Sequence, residues 1–192
     1  MNKGRLEAFS DGVLAILITI MVLELRIPQG ATWQALVPLV PILLTYVLSF
    51  VFLGIYWNNH HHLLQATERV NGSILWANLH LLFWLSLTPF ATGWMGENPT
   101  APLPNAIYGG VLLCAALAYW ILQRRIVAAQ GPHSKLRTAF GHDLKGNISP
   151  VMYLSAIMLA FVNPWISDVI YVSVALMWLV PDRRIEKHVH AD

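Results

Sequence analysis

Charge is what this sequence has least of. Only 11% of its 192 residues are Asp, Glu, Lys or Arg, where an ordinary soluble domain carries about 25%. Hydrophobic residues make up 56%, and the mean hydropathy is +0.55. That balance excludes a typical soluble core and points to a membrane protein. The net charge of +2 is too small to argue for nucleic acid. Cysteine is nearly absent: Cys114 stands alone inside an apolar run, so the chain can form no internal disulfide and holds no CxxC metal pattern. The eleven prolines form no low-complexity tract. A secretory signal is not expected at the N-terminus, because the apolar segment after the short basic start is long and lacks a small-residue cleavage site. Signature motifs are missing too. There is no TVGYG filter, the nearest string being "IYGG" at 107–110. No segment repeats arginine at every third position, and P-loop, Gly-x-Ser-x-Gly and HExxH patterns are absent. No catalytic constellation is visible, which argues against an enzyme.

What is present is a series of six apolar segments, at 6–25, 33–56, 73–95, 103–123, 147–162 and 165–181. A helix needs about 20 residues to cross a hydrocarbon layer ~30 Å thick. The first four segments meet that length. The last two are shorter and are separated by Asn163-Pro164-Trp165, which reads as a tight turn. The expected architecture is therefore an all-α membrane protein with six transmembrane helices, and residues 1–192 form a single domain. With a cytoplasmic N-terminus, the inner segments hold 11 of the 12 Lys and Arg residues and the outer loops hold only Arg26. The positive-inside rule then places both termini in the cytoplasm. Merging the last two segments into one broken helix would carry Arg183-Arg184 to the outside, against that rule. No internal duplication is apparent, and the longest polar stretch, 124–146, reads as a basic inner linker.

The first segment, "RLEAFSDGVLAILITIMVLEL" (5–25), separates two jobs by helical angle. At about 100° per residue, with Ile16 as origin, Phe9 falls near 20°, Ile20 near 40° and Leu23 near −20°. Thr19 lies at roughly −60°, on the border of this apolar line, while Ser10 falls near 120° and Asp11 near −140°. An ionised carboxylate at the bilayer centre costs about 2.5–3.5 kcal/mol on insertion scales. Asp11 therefore needs a partner, and either Arg5, about 9 Å away along the axis, or a polar group from another helix can supply it. That pattern favours a polar clasp for Asp11. Taken alone, the Ile16/Ile20/Leu23 line reads as lipid contact or ordinary packing.

Other polar residues admit two readings. Glu24 is either a solvated residue near Arg26 or part of an acidic outer mouth that concentrates cations. His60-His61-His62 could suggest a metal, but neighbours on a helix point about 100° apart and chelate one ion poorly; no metal site is expected. His80, alone in the third segment, reads as an interhelical hydrogen-bonding residue within possible reach of Asp11. The tryptophans near the segment ends read as interfacial anchors.

Three stretches carry a resemblance. "RLEAFSDGVLAILITIMVLEL" has an Arg-x-x-x-Phe-Ser-Asp signature followed by Ala-Ile-x-x-Thr. "YWNNHHHLL" at 56–64 has Tyr-Trp-x-x-His-His, and "NLHLLFWLSLTPFATGWMGE" at 78–97 has Leu-x-Pro-Phe. Together these resemble the transmembrane protein 175 potassium channels in their bacterial form, over the first half of the chain. The resemblance implies a potassium-selective cation channel, with some members also passing protons. It implies six helices per subunit, a homotetramer in the bilayer, and a central pore lined by the first helix in place of a carbonyl-filter pore loop. By position, the tightest aliphatic constriction falls on Ile16, with Ile20 and Leu23 forming further rings. Thr19 matches a threonine with a part in selectivity. Arg5, Phe9, Ser10 and Asp11 match a polar network tying the first helix to its neighbours, and the histidine run takes helix-end interactions at the cytoplasmic interface. No cofactor is implied beyond permeant potassium, and the expected location is a bacterial inner membrane. The competing reading is a secondary transporter working by alternating access, to which Pro38, Pro41 and Pro89 leave some room.

Overall fold

The computed structural model describes residues 2–130 and 144–179, and these are helical almost throughout. Helix α1 (Lys3–Leu23) starts at Asn2, whose Oδ1 accepts from the Gly4 amide at 3.1 Å. Two single 3₁₀ turns, Trp33–Ala35 and Val37–Leu39, lead into α2 (Val40–Gln65). Proline tolerates these positions because a first turn has no use for its missing N–H. Helix α3 (Gly72–Ser86) is capped by Asn71, whose Oδ1 accepts from the Ile74 amide at 3.0 Å. Helix α4 (Thr88–Glu97) follows after the single residue Leu87. The break has a local cause: Pro89 lacks the N–H that would continue the α3 ladder. Helix α5 (Pro102–Ala129) is the longest among the described residues. Helices α6 (Leu144–Ala160) and α7 (Pro164–Leu179) are joined by a turn in which Asn163 Oδ1 accepts from the Trp165 amide at 3.0 Å.

Among the described residues, four units are long and apolar enough to cross a membrane: 3–23, 33–65, 72–97 and 102–129. The third contains the α3–α4 break, so a segment expected as one helix is two. α7 is apolar but 16 residues long, and α6 has 17. The expected turn between the last two segments is present, whereas the Arg183-Arg184 end lies outside the described residues.

Two cores share α2 and α5. The first gathers Leu6, Leu14, Leu17 and Met21 of α1 against Leu53 and Leu63 of α2, Ile74, Leu81 and Leu85 of α3, and Leu122 of α5. The second gathers Phe52, Met95, Tyr108, Tyr153, Tyr171 and Val174 from α2, α4, α5, α6 and α7. A buried polar joint crosses it, linking Ser49 Oγ to the Tyr108 hydroxyl at 3.0 Å and to Thr92 Oγ1 at 2.7 Å. Lipid tails are as apolar as leucine, so close van der Waals packing and interhelical hydrogen bonds hold such helices together. Two glycines allow that close approach. A Cβ on Gly96 would lie 2.6 Å from Ile42 Cα, and one on Gly109 would lie 2.1 Å from the Tyr171 hydroxyl.

Candidate pore helix and its polar anchor

Helix α1 has one inward and one outward face. Leu6, Ser10, Leu14, Leu17 and Met21 are buried. Phe9 is 53% exposed, Ile16 57%, Ile20 40% and Leu23 79%. Thr19 is exposed on the same side and donates its hydroxyl hydrogen to the Ile16 carbonyl at 2.8 Å. The aliphatic line thus stands on the outward surface of the protomer, while Ser10 lies opposite, in the middle of the packed face.

Ser10 is the pivot of the anchor. Its hydroxyl donates to the Leu6 carbonyl at 2.8 Å and accepts from Asn78 Nδ2 at 2.9 Å. Asn78 Oδ1 in turn lies 2.7 Å from His60 Nε2. Since the Leu6 carbonyl can only accept, Ser10 accepts from Asn78, and Asn78 Oδ1 is left to accept from the imidazole. The three side chains come from α1, α3 and α2 and are almost wholly buried. Among the described residues His60 Nδ1 has no hydrogen-bond partner.

A second set of contacts zips α1 to α2. Lys3 Nζ donates to the Gln65 carbonyl at 2.6 Å, His61 Nδ1 lies 3.1 Å from Glu7 Oε1, and Trp57 Nε1 donates to Asp11 Oδ1 at 3.1 Å. Positions 3, 7 and 11 rise by one turn each as 65, 61 and 57 descend, so the ladder is what two antiparallel helices with four-residue spacing produce. Trp57 also stacks on His61, with ring centroids 6.3 Å apart.

The partner of Asp11 is therefore Trp57, a polar group from another helix. Among the described residues no salt bridge joins it to Arg5, which is exposed. Phe9 is exposed and takes no part in the hydrogen bonds. His80 stands apart from Asp11: its Nε2 accepts from Trp84 Nε1 at 2.9 Å, one turn along α3. The three consecutive histidines diverge, His60 to Asn78, His61 to Glu7, and His62 edge-on to the His61 ring. Arg26 pairs with Glu97, not with Glu24. The Glu24 carboxylate lies over Gly93 of α4, where an added Cβ would meet its Oε2 at 3.1 Å.

Sequence reasoning missed Asn78 and the role of His60. An asparagine in the middle of an apolar helix was itself a signal, because such a group must find a partner. The spacing of Lys3, Glu7 and Asp11 was a signal for the ladder.

Comparison with known proteins supplies a context. The family described as the endosomal/lysosomal potassium channel TMEM175 matches residues 5–89, which run from α1 into α4. A potassium channel of Chryseobacterium sp. (strain P1-3) is 56% identical over 187 residues, covering 97% of each chain. The endosomal/lysosomal proton channel TMEM175 of Danio rerio is 26% identical over 135 residues, or 68% of this chain and 25% of the fish protein. The crystal structure of a Chamaesiphon minutus homologue of the lysosomal potassium-selective channel TMEM175 superposes with a TM-score of 0.82 at 27% identity, covering 93% of this chain and 96% of that one.

Proposed function

We infer the function of this protein from one premise: the chain belongs to the TMEM175 potassium channel family. It is a multi-pass membrane protein and a cation channel, not an enzyme. Our proposal is that it conducts potassium through a central pore built by four copies, each contributing the outward face of α1, with no carbonyl-filter loop.

The observation that carries this reading is the two-sided character of α1. A membrane helix that exposes Ile16, Ile20 and Leu23 while a buried serine network fixes its opposite side is held in one rotational setting. Four such helices around an axis stack aliphatic rings. An apolar collar of that kind excludes water when narrow and conducts when it widens. In this arrangement Ile16 forms the tightest ring and Thr19 lies on the edge of the permeation path as a selectivity residue. Glu24 raises the local cation concentration at the outer mouth. The names of the relatives support potassium as the principal ion, and the fish relative's name supports testing protons as well. Both termini face the cytoplasm in this reading, and the location is a bacterial inner membrane. No cofactor is needed beyond the permeant ion.

The break at Leu87 is the observation that favours an alternating-access transporter, since discontinuous membrane helices accompany that mechanism. Flux separates the two. Full-chain protein in liposomes with potassium, sodium and caesium gradients should show a passive, voltage-driven current ordered by ion, and Ile16→Asn should raise flux and weaken the discrimination. Unchanged flux through Ile16→Asn removes the pore assignment, and saturable exchange without unitary current favours the transporter.

A further inference from the structure

A long cleft separates α2 from α7 on the outside of the bundle. It encloses about 470 Å³, a volume within the range of small-ligand sites, roughly 300–1,000 Å³. Leu44, Leu48 and Val51 of α2 face Val172, Leu176 and Leu179 of α7 across it. This lining is apolar on both sides, from α2, which is long enough to cross a membrane, and from the shorter apolar helix α7. One group does not belong there: Asp168, on the second turn of α7, also lines the cleft. It sits at the end where Trp165, Pro99 and Val40 form the rim.

Asp168 accepts a hydrogen bond from Asn105 Nδ2 through one carboxylate oxygen, and among the described residues no salt bridge reaches it. A half-buried carboxylate at the end of an apolar cleft is best compensated by a cation. At this end of the bundle the described part of the chain has only Arg26 to offer, and Arg26 is already paired with Glu97. The other described lysines and arginines belong to the opposite end, so a second copy of this described surface brings no free cation either. Length points to the occupant. From Asp168 to Leu179 the groove follows α7 for about 16 Å at 1.5 Å per residue. Half of a ~30 Å hydrocarbon core is about 15 Å, so an amphiphile with its head at Asp168 ends its tail near Leu179. The indole of Trp165, 58% exposed, is suited to the headgroup level.

We propose that the α2–α7 groove binds one phospholipid with a primary ammonium headgroup, the ammonium on Asp168 and one acyl chain along the cleft. The site is separate from the α1 surface, and it stands or falls independently of the pore.

The test is native mass spectrometry of the full chain in mild detergent with equimolar phosphatidylethanolamine and phosphatidylglycerol of matched chains. The wild-type protein should retain one phosphatidylethanolamine per protomer, preferred about fivefold, the yield expected of one interfacial charge pair. Asp168→Asn keeps an acceptor for Asn105 and should bring the preference to about one while leaving total lipid unchanged. Val172→Trp fills the cleft and should remove retention of both lipids. Equal retention of the two lipids by wild type overturns the proposal, as does a preference that survives Asp168→Asn. Val172→Trp that dissociates the oligomer with lipid counts unchanged overturns it in favour of a second copy. Should Asp168→Asn not yield folded protein, the wild-type lipid comparison decides alone.

Discussion

Replacing Asn78 with leucine probes the anchor that sets how α1 is turned. Leucine has the same branched, four-heavy-atom side chain and a larger volume, so the change removes hydrogen bonds without opening a cavity. Two side-chain bonds are lost, at 2.9 Å to Ser10 and 2.7 Å to His60. Interhelical hydrogen bonds in membrane proteins average about 0.6 kcal/mol, so the pair accounts for roughly 1.2 kcal/mol. The consequences for the partners differ. Ser10 keeps its bond to the Leu6 carbonyl and remains satisfied. His60 is 1% exposed, and its Nδ1 already lacks a partner, so losing Asn78 leaves a buried imidazole with no hydrogen bond. One orphaned buried group costs about 1–3 kcal/mol. The sum predicts a destabilisation of roughly 2–4 kcal/mol for Asn78→Leu. Reversible unfolding of the full chain in mixed micelles reads this directly. The double variant His60→Leu/Asn78→Leu should be less destabilised than the two singles added, because it removes the orphan along with the bond. Asn78→Leu within about 0.5 kcal/mol of wild type, or strictly additive singles, would refute the claim that these side chains act as one joint.

Asp11→Ala breaks the Trp57 contact and should lower unfolding stability and oligomer yield on size exclusion while ion selectivity in liposomes holds; a stable oligomer with altered selectivity reverses the assignment of Asp11 as a clasp. Gly109→Ala forces a Cβ into the Tyr171 hydroxyl and should cost about 1–3 kcal/mol as overpacking, whereas Gly12→Ala, inside α1 where a Cβ meets nothing within 4 Å in the protomer, should stabilise the protomer by about 0.4–1 kcal/mol. Glu24→Gln should reduce potassium conductance at low ionic strength and converge on wild type at high salt, as screening of a mouth charge requires; a salt-independent reduction points instead to lost packing on Gly93.

Much of the architecture was legible because the bilayer is a simple solvent. It demands long apolar stretches whose backbone groups are satisfied within one helix, and composition alone shows where those stretches lie. The break at Leu87 was harder to see, since the apolar run continues through it and only Pro89 marks the site. Helical periodicity was enough to separate Ser10 from Ile16, because angle depends on position in the chain and nothing else. Periodicity could not say which neighbour meets which face. Arg5 was the obvious electrostatic partner for Asp11 by sequence distance, yet α2 runs antiparallel to α1 and brings Trp57 to that level. His80 was the conspicuous lone histidine, but it faces outward, and His60, the first of the histidine run, reaches the core.

The sequence by itself determined that this chain lives in a membrane, where its apolar helices run, and that the first helix has a polar and an aliphatic side. Those properties follow from local composition and a fixed turn angle. Only the tertiary structure decided that Ser10, Asn78 and His60 form one joint, that Lys3, Glu7 and Asp11 climb α2 as a ladder, and that Asp168 lines an apolar cleft. Each depends on the register between helices far apart in the chain, and register is set by packing, which no single segment encodes.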